Sequence, residues 1–461
     1  MNPPVTQTLA AIWALADLPP AALDSLALTG ADPVVPSSFA VGTAAQASIA
    51  AAALAACTLG QARGAPRRDV AVDMAHAAAE CSGWFSLDGQ VPEAWDAFSG
   101  LYACADGHVR LHANFAHHRD GALRLLGLDP AHAQRADAER VLQGWRALDF
   151  EQATAERGLV ATALRSFAEW DVTAQAQAVA AQPLLSITRI GDAAPRALPA
   201  LPQGAPPLDG LRVLDLTRIL AGPVGGRALA ALGADVMLVN SPQLPNISAI
   251  ADTSRGKRSA HADLRTAPGQ AQLRALLAGA HVFSQGYRPG GRADLGFGPE
   301  ALAALQPGLV QVSLTAYGNQ GPWAPRRGFD SLLQTAMGFN QAEGEAAGDG
   351  RPRALPMQIL DQATGHLMAF GAAAALWRQQ REGGSWHVQV SLAQTAHWLR
   401  GLGRIAGGLR AQEAARTPFL ETVDSGFGRL CAVRPAVRLD GVHLAYRRPS
   451  MPPGSHASAW T

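Results

Sequence analysis

A single carboxylate, Asp361, stands near the start of a long run with almost no charge, MQILDQATGHLMAFGAAAALW, from Met357 to Trp377. An aspartate in the first turn of a helix accepts hydrogen bonds from backbone N–H groups and suits the positive end of the helix dipole. The same donors can keep a nucleophilic carboxylate ionised and can stabilise an oxyanion. The residue therefore has two compatible interpretations, a helix cap and a catalytic nucleophile.

Several cations form a second group of candidates, because they lie in loops that follow predicted strands. The carboxyl ends of strands are where α/β proteins bind ligands. Cations at that edge suit a phosphate-rich ligand, although solvated surface charge explains any one of them equally well. The residues are Arg218, Arg255, Lys257, Arg258 and Arg288.

Motifs for nucleotide, phosphate and hydrolase chemistry are incomplete. The loop after LRVLDL has glycines at Gly222, Gly225 and Gly226 but no GxGxxG, and the next predicted strand ends in Asn240 rather than in an acid for a ribose. The run TSRGKRS is no P-loop, because Arg258 stands where a serine or threonine would bind magnesium. The sequence also has no GxSxG elbow. A nicotinamide cofactor and a serine hydrolase are therefore not supported.

Histidines and cysteines form no metal-binding pattern. The histidines that cluster in the first part lack supporting carboxylates, and we interpret them as surface or core polar residues rather than metal ligands. The four cysteines are far apart with no CxxC pair, which favours reduced thiols in a cytoplasm. No metal is expected. The clustered histidines are His108, His112, His117 and His118.

The composition is that of a globular protein with a large interior. Of 461 residues, 16% are charged and 48% are hydrophobic, and the length suffices for two domains. The net charge of +1 gives no general attraction for polyanions, so nucleic-acid binding is not expected. The stretch Ala40–Cys57 is long enough to span a membrane, but its weakly hydrophobic alanines and interrupting polar residues predict a buried helix. The N-terminus has no basic region, so no secretory signal is expected.

A stretch rich in Pro and Gly, Asp192 to Gly210, divides the chain and predicts a linker. The part before it, 1–191, is mostly helical by pattern, with a hairpin that turns at Asp106-Gly107. The part after it, 211–461, alternates short β-rich runs with helical segments, which predicts a parallel sheet. We therefore predict an α/β fold, with an open parallel Rossmann-like sheet domain and a second, smaller helical α+β domain.

A faint internal repeat connects the two parts. Pairing Asp361 with Thr43 also aligns RRDVAVDMAHAA (Arg67–Ala78) with SWHVQVSLAQTA (Ser385–Ala396). Shared alanines inflate the match, so chance similarity remains an alternative. If the repeat is real, the first copy has a threonine where the second has an acid, and only one copy could use a carboxylate.

The motifs of the second part, taken together, resemble family III of the CoA-transferases, the group that contains formyl-CoA transferase and carnitine CoA-transferase. The resemblance covers most of Leu211 to about Ala396. It rests on LRVLDLTRILAGPVGGRALAALGADVMLVN, RGKRSAHADLR, YRPGGRADLGFGPEALAALQPGLVQVSLTAYGNQGPW, RRGFDSLLQTAMG and LDQATG. In the first part, DGHVRLHANF and RSFAEWDVTAQAQAVAAQPLLSITRIG are similar to the later half of the same family.

The order of these matches is rearranged relative to the family. Residues 1–191 resemble the later half, 192–210 form the linker, and 211–461 resemble the first half, with the CoA-binding sheet and the acid. Chain ends that lie close together make such a permutation physically cheap. We expect strands of both parts to meet in one sheet, because RRDVAVD needs neighbours that bury both its faces.

The resemblance implies a chemistry for Asp361. In this family the matching acid attacks an acyl-CoA thioester to give a mixed anhydride, and the CoA thiolate returns to form an enzyme–CoA thioester. An incoming carboxylic acid then leaves as a new acyl-CoA. A carboxylate suits such reversible exchange because it is also a good leaving group. The expected partners are an acyl-CoA and a carboxylic acid, with no tightly bound cofactor, in a cytoplasmic homodimer without a membrane.

The resemblance also implies where coenzyme A binds. We expect its phosphates near Arg218, Arg255, Lys257, Arg258 and Arg288. The adenine side is assigned to Ala221, Gly222 and Pro223, and the pantetheine to the Tyr317–Pro322 loop with Gly318 and Gly321.

Two alternatives stay open. Acyl-CoA racemases of the same fold pair this acid with a histidine in a Gly-His-Asp segment, which here is Gly328-Phe329-Asp330, and phenylalanine cannot accept a proton. An isomerase would need His366 or another base instead. A non-catalytic CoA-binding paralogue is the second alternative, supported by Asn240 and the rearranged order.

Overall fold

A computed structural model of the chain describes residues 4–287 and 296–460. The helices of this part are α1 (Val5–Leu15), α2 (Val41–Ala62), α3 (Met74–Cys81), α4 (Ala116–Leu125), α5 (Arg135–Leu142), α6 (Ala147–Glu156), α7 (Phe167–Asp171), α8 (Ala174–Ala180), α9 (Ala221–Ala231), α10 (Ile250–Thr253), α11 (Ala267–Ala278), α12 (Pro299–Leu305), α13 (Asp330–Ala336), α14 (Phe339–Ala347), α15 (Ile359–Glu382) and α16 (Leu392–Gly401).

The strands of the same part are β1 (Leu26–Thr29), β2 (Val70–Asp73), β3 (Phe85–Leu87), β4 (Gly100–Cys104), β5 (Gly107–Leu111), β6 (Ala161–Ala163), β7 (Leu185–Gly191), β8 (Arg212–Leu216), β9 (Asp235–Asn240), β10 (Arg258–His261), β11 (Val282–Gln285), β12 (Val310–Thr315), β13 (Ser385–Ser391), β14 (Leu420–Ser425), β15 (Gly428–Val433), β16 (Val437–Leu439) and β17 (Val442–His443).

A seven-stranded sheet in the order β10-β9-β8-β11-β12-β13-β7 forms the centre of the molecule. Its first six strands are parallel and β7 is antiparallel to β13. The order reverses between β8 and β11, as in doubly wound nucleotide-binding sheets. Helices cover both faces, so the strands are buried and rich in Val and Leu. The predicted α/β fold with a Rossmann-like parallel sheet is confirmed.

The smaller α+β unit of the prediction is also present. Strands β4, β5 and β6 form an antiparallel sheet, which packs with α4, α5 and α6 around a core that includes Tyr102, Val109 and Phe150. The predicted hairpin is β4–β5, with its turn at Ala105 and Asp106. The turn therefore begins one residue earlier than predicted.

Strands of the two parts of the chain share sheets. β7, from the first part, forms the edge of the central sheet beside β13. β2, which lies within RRDVAVD, pairs with β1 on one side and with β16, from the end of the chain, on the other. Strands of both parts therefore meet in two sheets, through β7 in the central sheet and through β2 in the four-stranded sheet β1-β2-β16-β17.

The segment 192–210 contains neither helix nor strand, as the linker prediction requires. It is held against the end of α2, because the Arg63 guanidinium donates hydrogen bonds to the carbonyls of Pro199, Pro207 and Asp209, at 2.9, 3.0 and 2.6 Å. The domain boundaries derived from this segment stay a prediction.

The repeated elements of the sequence form a packed pair. Helix α2, followed by β2 and α3, lies against α15, which is followed by β13 and α16. α2 is long and apolar enough to cross a membrane, but its apolar window is entirely buried inside the protein. It is therefore a core helix, as predicted.

Glycines let α9 approach α15 closely. A Cβ added at Gly225 would lie 2.8 Å from the carbonyl oxygen of Gly365, and one added at Gly365 would lie 2.5 Å from the carbonyl oxygen of Ala221. Both distances are shorter than real Cβ contacts, and the obstructing atoms are backbone atoms that cannot rotate away. The two helices therefore pack backbone to backbone at this crossing.

We predict that Gly365→Ala separates these helices and lowers the free energy of unfolding by about 1–3 kcal/mol, the usual cost of overpacking a core. Denaturant titration measures the change. Gly401→Ala, at the end of α16, is the matched control, because an added Cβ there has no atom within 4 Å. The control should be neutral or slightly stabilising. Equal stability of the two variants would contradict the close packing.

Candidate active site

A cleft of about 350 Å³ opens at the carboxyl ends of β8 and β12, next to the reversal of strand order. Parallel sheets bind ligands at this position, because loops from neighbouring strands diverge there. Both parts of the chain contribute to its wall. The wall includes Phe115, His117, His118, Arg218, Ala221, Tyr287, Thr315, Arg326, Arg327, Phe329 and Asp361.

Asp361 lies in the first turn of α15 and is partly exposed to the cleft. The backbone N–H of Ala221, at the start of α9, lies close enough to this carboxylate to favour its ionised form. Its own N–H donates to Asp330 Oδ2 at 2.9 Å. The carboxylate of Asp361 is thus directed at the N-terminus of a different helix.

A second carboxylate, that of Asp330, caps α15. It accepts hydrogen bonds from the N–H groups of Leu360 and Asp361 and, at 2.5 Å, from the amide of Gln334. Asp330 is fully buried. The capping role that the sequence allowed for Asp361 is therefore carried by Asp330, which leaves the Asp361 carboxylate available to a ligand.

The two carboxyl groups shift each other's protonation. Burial, and then the charge of Asp330, raise the pKa of Asp361 well above its usual range, while the N–H of Ala221 opposes the shift. Burial raises the pKa of Asp330 to about 6, against its hydrogen bonds and the charge of Arg110. Two neighbouring acids with raised pKa values, one of them facing a cleft, are typical of a functional site.

The first copy of the repeat also has a carboxylate at the start of its helix, but it has no acid at the position of Asp361. Asp32 accepts hydrogen bonds from the N–H groups of Gly42 and Thr43, at 3.1 and 2.7 Å, and from the Thr43 hydroxyl. Thr43 stands at the position that Asp361 occupies in the second copy. The acid is therefore present in one copy.

Aromatic rings from the two parts meet behind Asp361. The ring of Phe329 stacks on His112, with centroids 3.9 Å apart and an interplanar angle of 11°. Phe115 and His118 also lie against Phe329. The segment around β5 and α4 thus completes the cleft of the sheet domain.

Two histidines of the cluster that we interpreted as surface or core residues, His117 and His118, line the cleft. Burial lowers the pKa of His118 to about 3, assisted by the neighbouring His117 and Arg327, and burial and Arg327 also lower the pKa of His117. His366 lies elsewhere, buried with its Nε2 4.0 Å from Glu80 Oε1. The sequence signal for the first two was their position just after the motif DGHVRLHANF, which ends at Phe115.

The predicted cations separate into two groups. Arg218 lines the cleft, together with Arg326 and Arg327, which the sequence analysis did not single out. Arg288 lies outside the described residues. The remaining three, Arg255, Lys257 and Arg258, are not among the described residues that line the cleft.

These three cations are buried in ion pairs. Arg255 pairs with Asp252 and Glu421, Lys257 with Asp215, and Arg258 with Asp235, at nitrogen–oxygen distances from 2.5 to 3.0 Å. A phosphate could reach them only by displacing a carboxylate within the core. Their placement therefore argues against the phosphate contacts that the sequence suggested.

The residues predicted to contact the adenine side of coenzyme A lie only partly on the surface of the cleft. Ala221 faces the cleft, whereas the Pro223 carbonyl accepts a hydrogen bond from Lys257 and a Cβ at Gly222 would meet Thr217. These backbone positions face the protein interior.

The Tyr317–Pro322 loop, which was predicted to bind pantetheine, is hydrogen-bonded to the first part of the chain. The amide of Gln175 donates to the carbonyl of Tyr317 at 2.8 Å, and a Cβ at Gly321 would meet the same side chain. Gly318 lines a separate small pocket beside Thr315. The structure therefore places this loop next to the cleft rather than in its wall.

A groove of about 210 Å³ adjoins the cleft along the ends of β8, β9 and β10. It shares Leu216, Leu244 and Tyr287 with the cleft. Arg265 lies at its far end, paired with Asp263 at 2.9 Å. An elongated ligand could therefore extend from Asp361 along the carboxyl edge of the sheet.

Comparison with known proteins places this geometry in a family. Residues 208–418 match the model of CoA-transferase family III. A probable fatty acyl-CoA transferase of Mycobacterium tuberculosis is 36% identical over 210 residues, covering 42% of this chain and 53% of that protein. The succinate–glutarate CoA-transferase of Agrobacterium fabrum is 36% identical over 211 residues, covering 42% and 52%.

Two further matches extend the comparison. An acyl-CoA transferase of Gibberella moniliformis is 32% identical over 322 residues, covering 67% of this chain and 53% of that protein. A crystal structure of Rv3272 from Mycobacterium tuberculosis has a TM-score of 0.40 at 36% identity, covering 43% of this chain and 58% of that chain. The chain spans about half the length of the curated relatives it matches. Residues 208–418, which contain the strand ends, the cleft cations and Asp361, are a CoA-transferase family III domain.

Proposed function

We propose that the protein transfers coenzyme A from an acyl-CoA to a carboxylic acid, with Asp361 as the nucleophile. One observation carries the proposal: the Asp361 carboxylate faces a cleft of ligand size while Asp330 performs the structural task of capping α15. The relatives described above include a probable fatty acyl-CoA transferase and a succinate–glutarate CoA-transferase, which supports the reaction class and leaves the acyl group open.

The chemistry begins when a carboxylate oxygen of Asp361 attacks the thioester carbon of the acyl-CoA. The carbon–sulfur bond breaks, giving an acyl-aspartyl anhydride and CoA thiolate. The thiolate then attacks the aspartyl carbonyl carbon, which forms the enzyme–CoA thioester and releases the first acid as its carboxylate. An incoming carboxylate repeats the two steps in reverse order and leaves as the new acyl-CoA, so Asp361 is regenerated.

The N–H of Ala221 has two uses in this scheme. In the free enzyme it stabilises the ionised form of Asp361, because its proximity lowers the pKa of that carboxyl. During thiolate attack it can hold the oxyanion that develops on the aspartyl carbonyl, since it is already directed at a carboxylate oxygen. The N-terminus of α9 adds its positive dipole end at the same place.

We assign the phosphates of coenzyme A to Arg218, Arg326 and Arg327, and the nucleotide end to the adjoining groove. The three arginines line the cleft wall, and the groove continues along the strand ends. This assignment replaces the phosphate contacts expected of Arg255, Lys257 and Arg258. We also expect the enzyme to act in the cytoplasm as a homodimer, which size-exclusion chromatography with light scattering would test.

An isomerase is the weaker proposal for this cleft. Two-base proton exchange at the α-carbon of an acyl-CoA needs one protonated and one unprotonated group. His118 is held neutral, with a pKa of about 3, beside Arg327, and Phe329 carries no proton. Deuterium incorporation at the α-carbon of a bound acyl-CoA in heavy water, without CoA exchange, would favour the isomerase.

Asp361→Asn should abolish transfer and leave the fold intact. An amide cannot form the anhydride, but its oxygen can still face the Ala221 N–H. Incubation of the wild type with acyl-CoA should give a CoA adduct on the protein in mass spectrometry, mapped to Asp361, and the variant should give none. Because the variant removes a buried charge near Asp330, its melting temperature should not fall.

Asp32→Asn is the matched control, since Asp32 caps the equivalent helix in the first copy. It should leave stability nearly unchanged, because asparagine caps helices nearly as well as aspartate, and it should retain the adduct. The nucleophile role would be contradicted if the wild type formed no CoA adduct, or if Asp361→Asn transferred CoA at a rate comparable to the wild type. The non-catalytic or isomerase interpretation would then remain.

Activity should decline on the acid side at a pH above the usual aspartate range. The reactive form of Asp361 is the carboxylate, and its pKa is raised, so kcat/KM falls as the pH drops through that value. Asp330→Asn removes the repelling charge and should move the acid limb to lower pH. If the acid limb of kcat/KM lies at the same pH in Asp330→Asn as in the wild type, the charge of Asp330 does not influence Asp361.

Stability should change with pH in the opposite sense. In the folded protein the pKa values of Asp330 and Asp361 are both raised above those in the unfolded chain. The contribution of these acids to the free energy of unfolding is therefore complete below the unfolded pKa. It is lost as the pH rises through the folded pKa, which is about 6 for Asp330. Denaturant titrations on either side of pH 6 should show this loss in the wild type and a smaller one in Asp330→Asn.

Removing cleft cations should weaken CoA binding in a salt-dependent way. The double variant Arg218→Gln, Arg327→Gln should raise the Kd for CoA, and raise it most at low ionic strength, where screening is weakest. The control double variant Arg140→Gln, Arg146→Gln removes exposed arginines that are not among the described residues lining the cleft. Equal CoA affinity in both variants would remove the cleft arginines from the site.

A further inference from the structure

A buried ion pair lies beneath the loop that presents the Ala221 N–H. Lys257 Nζ is 2.9 Å from Asp215 Oδ2, and both side chains are 0% exposed. The ammonium also donates to the Pro223 carbonyl at 2.8 Å. The other oxygen of Asp215 accepts from the N–H and the hydroxyl of Thr217, at 2.9 and 2.6 Å. The pair therefore connects the end of β8 to the first turn of α9.

The loop between these two anchors needs support. Ile219 has a φ of +78°, in the left-handed region that a β-branched side chain rarely adopts. The next residue, Leu220, is the N-cap of α9, and no side-chain hydrogen bond caps the helix there. Ala221 follows directly, between Thr217 and Pro223. The direction of its N–H thus depends on hydrogen bonds that start at the ion pair.

The helix is shaped to accommodate the pair. A Cβ on Gly226 would lie 2.3 Å from Asp215 Oδ2 and 2.7 Å from Lys257 Nζ. The missing side chain lets the ion pair sit directly under α9. Because the pair is neutral as a whole, it acts on the cleft through the position of the backbone rather than through net charge.

We propose that Lys257 and Asp215 are positioning residues of the transfer reaction: they hold the strained β8–α9 loop so that the Ala221 N–H is directed at the Asp361 carboxylate. The proposal rests on the proposed function for its effect on catalysis. It assigns to Lys257 a role different from the phosphate contact that the sequence suggested. A purely stabilising role is the alternative, and buried ion pairs are often replaceable by apolar residues without loss of stability.

The test uses the double variant Lys257→Met, Asp215→Leu, which removes both charges together and leaves neither partner unpaired. With the loop released, formation of the CoA adduct should slow by about tenfold to a thousandfold, the scale of one lost oxyanion donor. The acid limb of kcat/KM should move to higher pH, because the effect of the N–H that opposes the raised pKa of Asp361 is weakened. The charged neighbour that faces Asp361, Asp330 with Arg110 behind it, is unchanged in this variant.

A neighbouring ion pair provides the matched control. Arg258 and Asp235 join β10 to β9 at 3.0 Å. The double variant Arg258→Met, Asp235→Leu should leave both the adduct rate and the acid limb at wild-type values. If the two double variants behave alike, the positioning role is overturned and the pair is structural only. An increase in the Kd for CoA confined to the Lys257 variant, without a shift of the limb, would overturn it in favour of phosphate binding.

A readout without turnover separates this inference from the proposed function. The pKa of Asp361 can be measured by carbon NMR of protein labelled at the aspartate carboxyl, with Asp361→Asn to assign the signal. A higher pKa in the Lys257 double variant than in the wild type supports positioning even if no transfer is found, and an equal pKa overturns it. If the double variant does not fold, Thr217→Val, which removes the hydroxyl bound to Asp215, should shift the pKa in the same direction by less.

Discussion

The contact between α9 and α15 at Gly225 and Gly365 is the constraint on which the site depends. Without side chains at the crossing, the backbones of the two helices touch, and their N-termini open toward the same cleft. Only at that separation can a backbone N–H of one helix reach a carboxylate in the first turn of the other. A larger residue would preserve both helices and both faces of the sheet, yet it would place the donor and the acid too far apart for a hydrogen bond.

The different roles of Asp330 and Asp361 follow from this helix crossing. A helix whose N-terminus opens into a ligand cleft still needs partners for its free N–H groups. Asp330 meets that need from the interior, and Asp32 does so for α2. Asp361 has no capping duty and is present in one copy only. Its likeness to a cap in the sequence arises because the first turn of a helix favours carboxylates for both purposes.

Much of the sheet could be predicted from the sequence, because buried parallel strands appear as continuous apolar runs. The runs LRVLDL, ADVMLVN, HVFSQGY and LVQVSLTAYG predict strands by this pattern, and they contain β8, β9, β11 and β12 in that order. β10 was missed, since it begins with Arg258 and Ser259, and its polarity is explained only by the ion pair with a residue of β9. Local pattern contains no information about such partners.

The same limit explains the errors in the site. Arg255, Lys257 and Arg258 are consecutive or nearly so, and cations in a predicted loop look solvent-facing in a sequence. Their carboxylate partners lie as far as 166 residues away, at Glu421. Conversely, His117 and His118 belong to the first part of the chain, and only the way β4, β5 and β6 pack against the sheet domain places them in the cleft. The role of a charged side chain can be assigned only after its partners elsewhere in the sequence are known.

Under the proposed mechanism, the raised pKa of Asp361 has two opposing consequences. A more basic carboxylate attacks a thioester faster, but it is also less often ionised and is a poorer leaving group from the anhydride. Burial and Asp330 act in one direction, and the Ala221 N–H acts in the other. The protein therefore sets the reactivity of this acid through the distance between two helices, because the same crossing that fixes the N–H fixes the balance. An enzyme that must run acyl exchange in both directions gains from an intermediate value, at which attack and departure have comparable barriers.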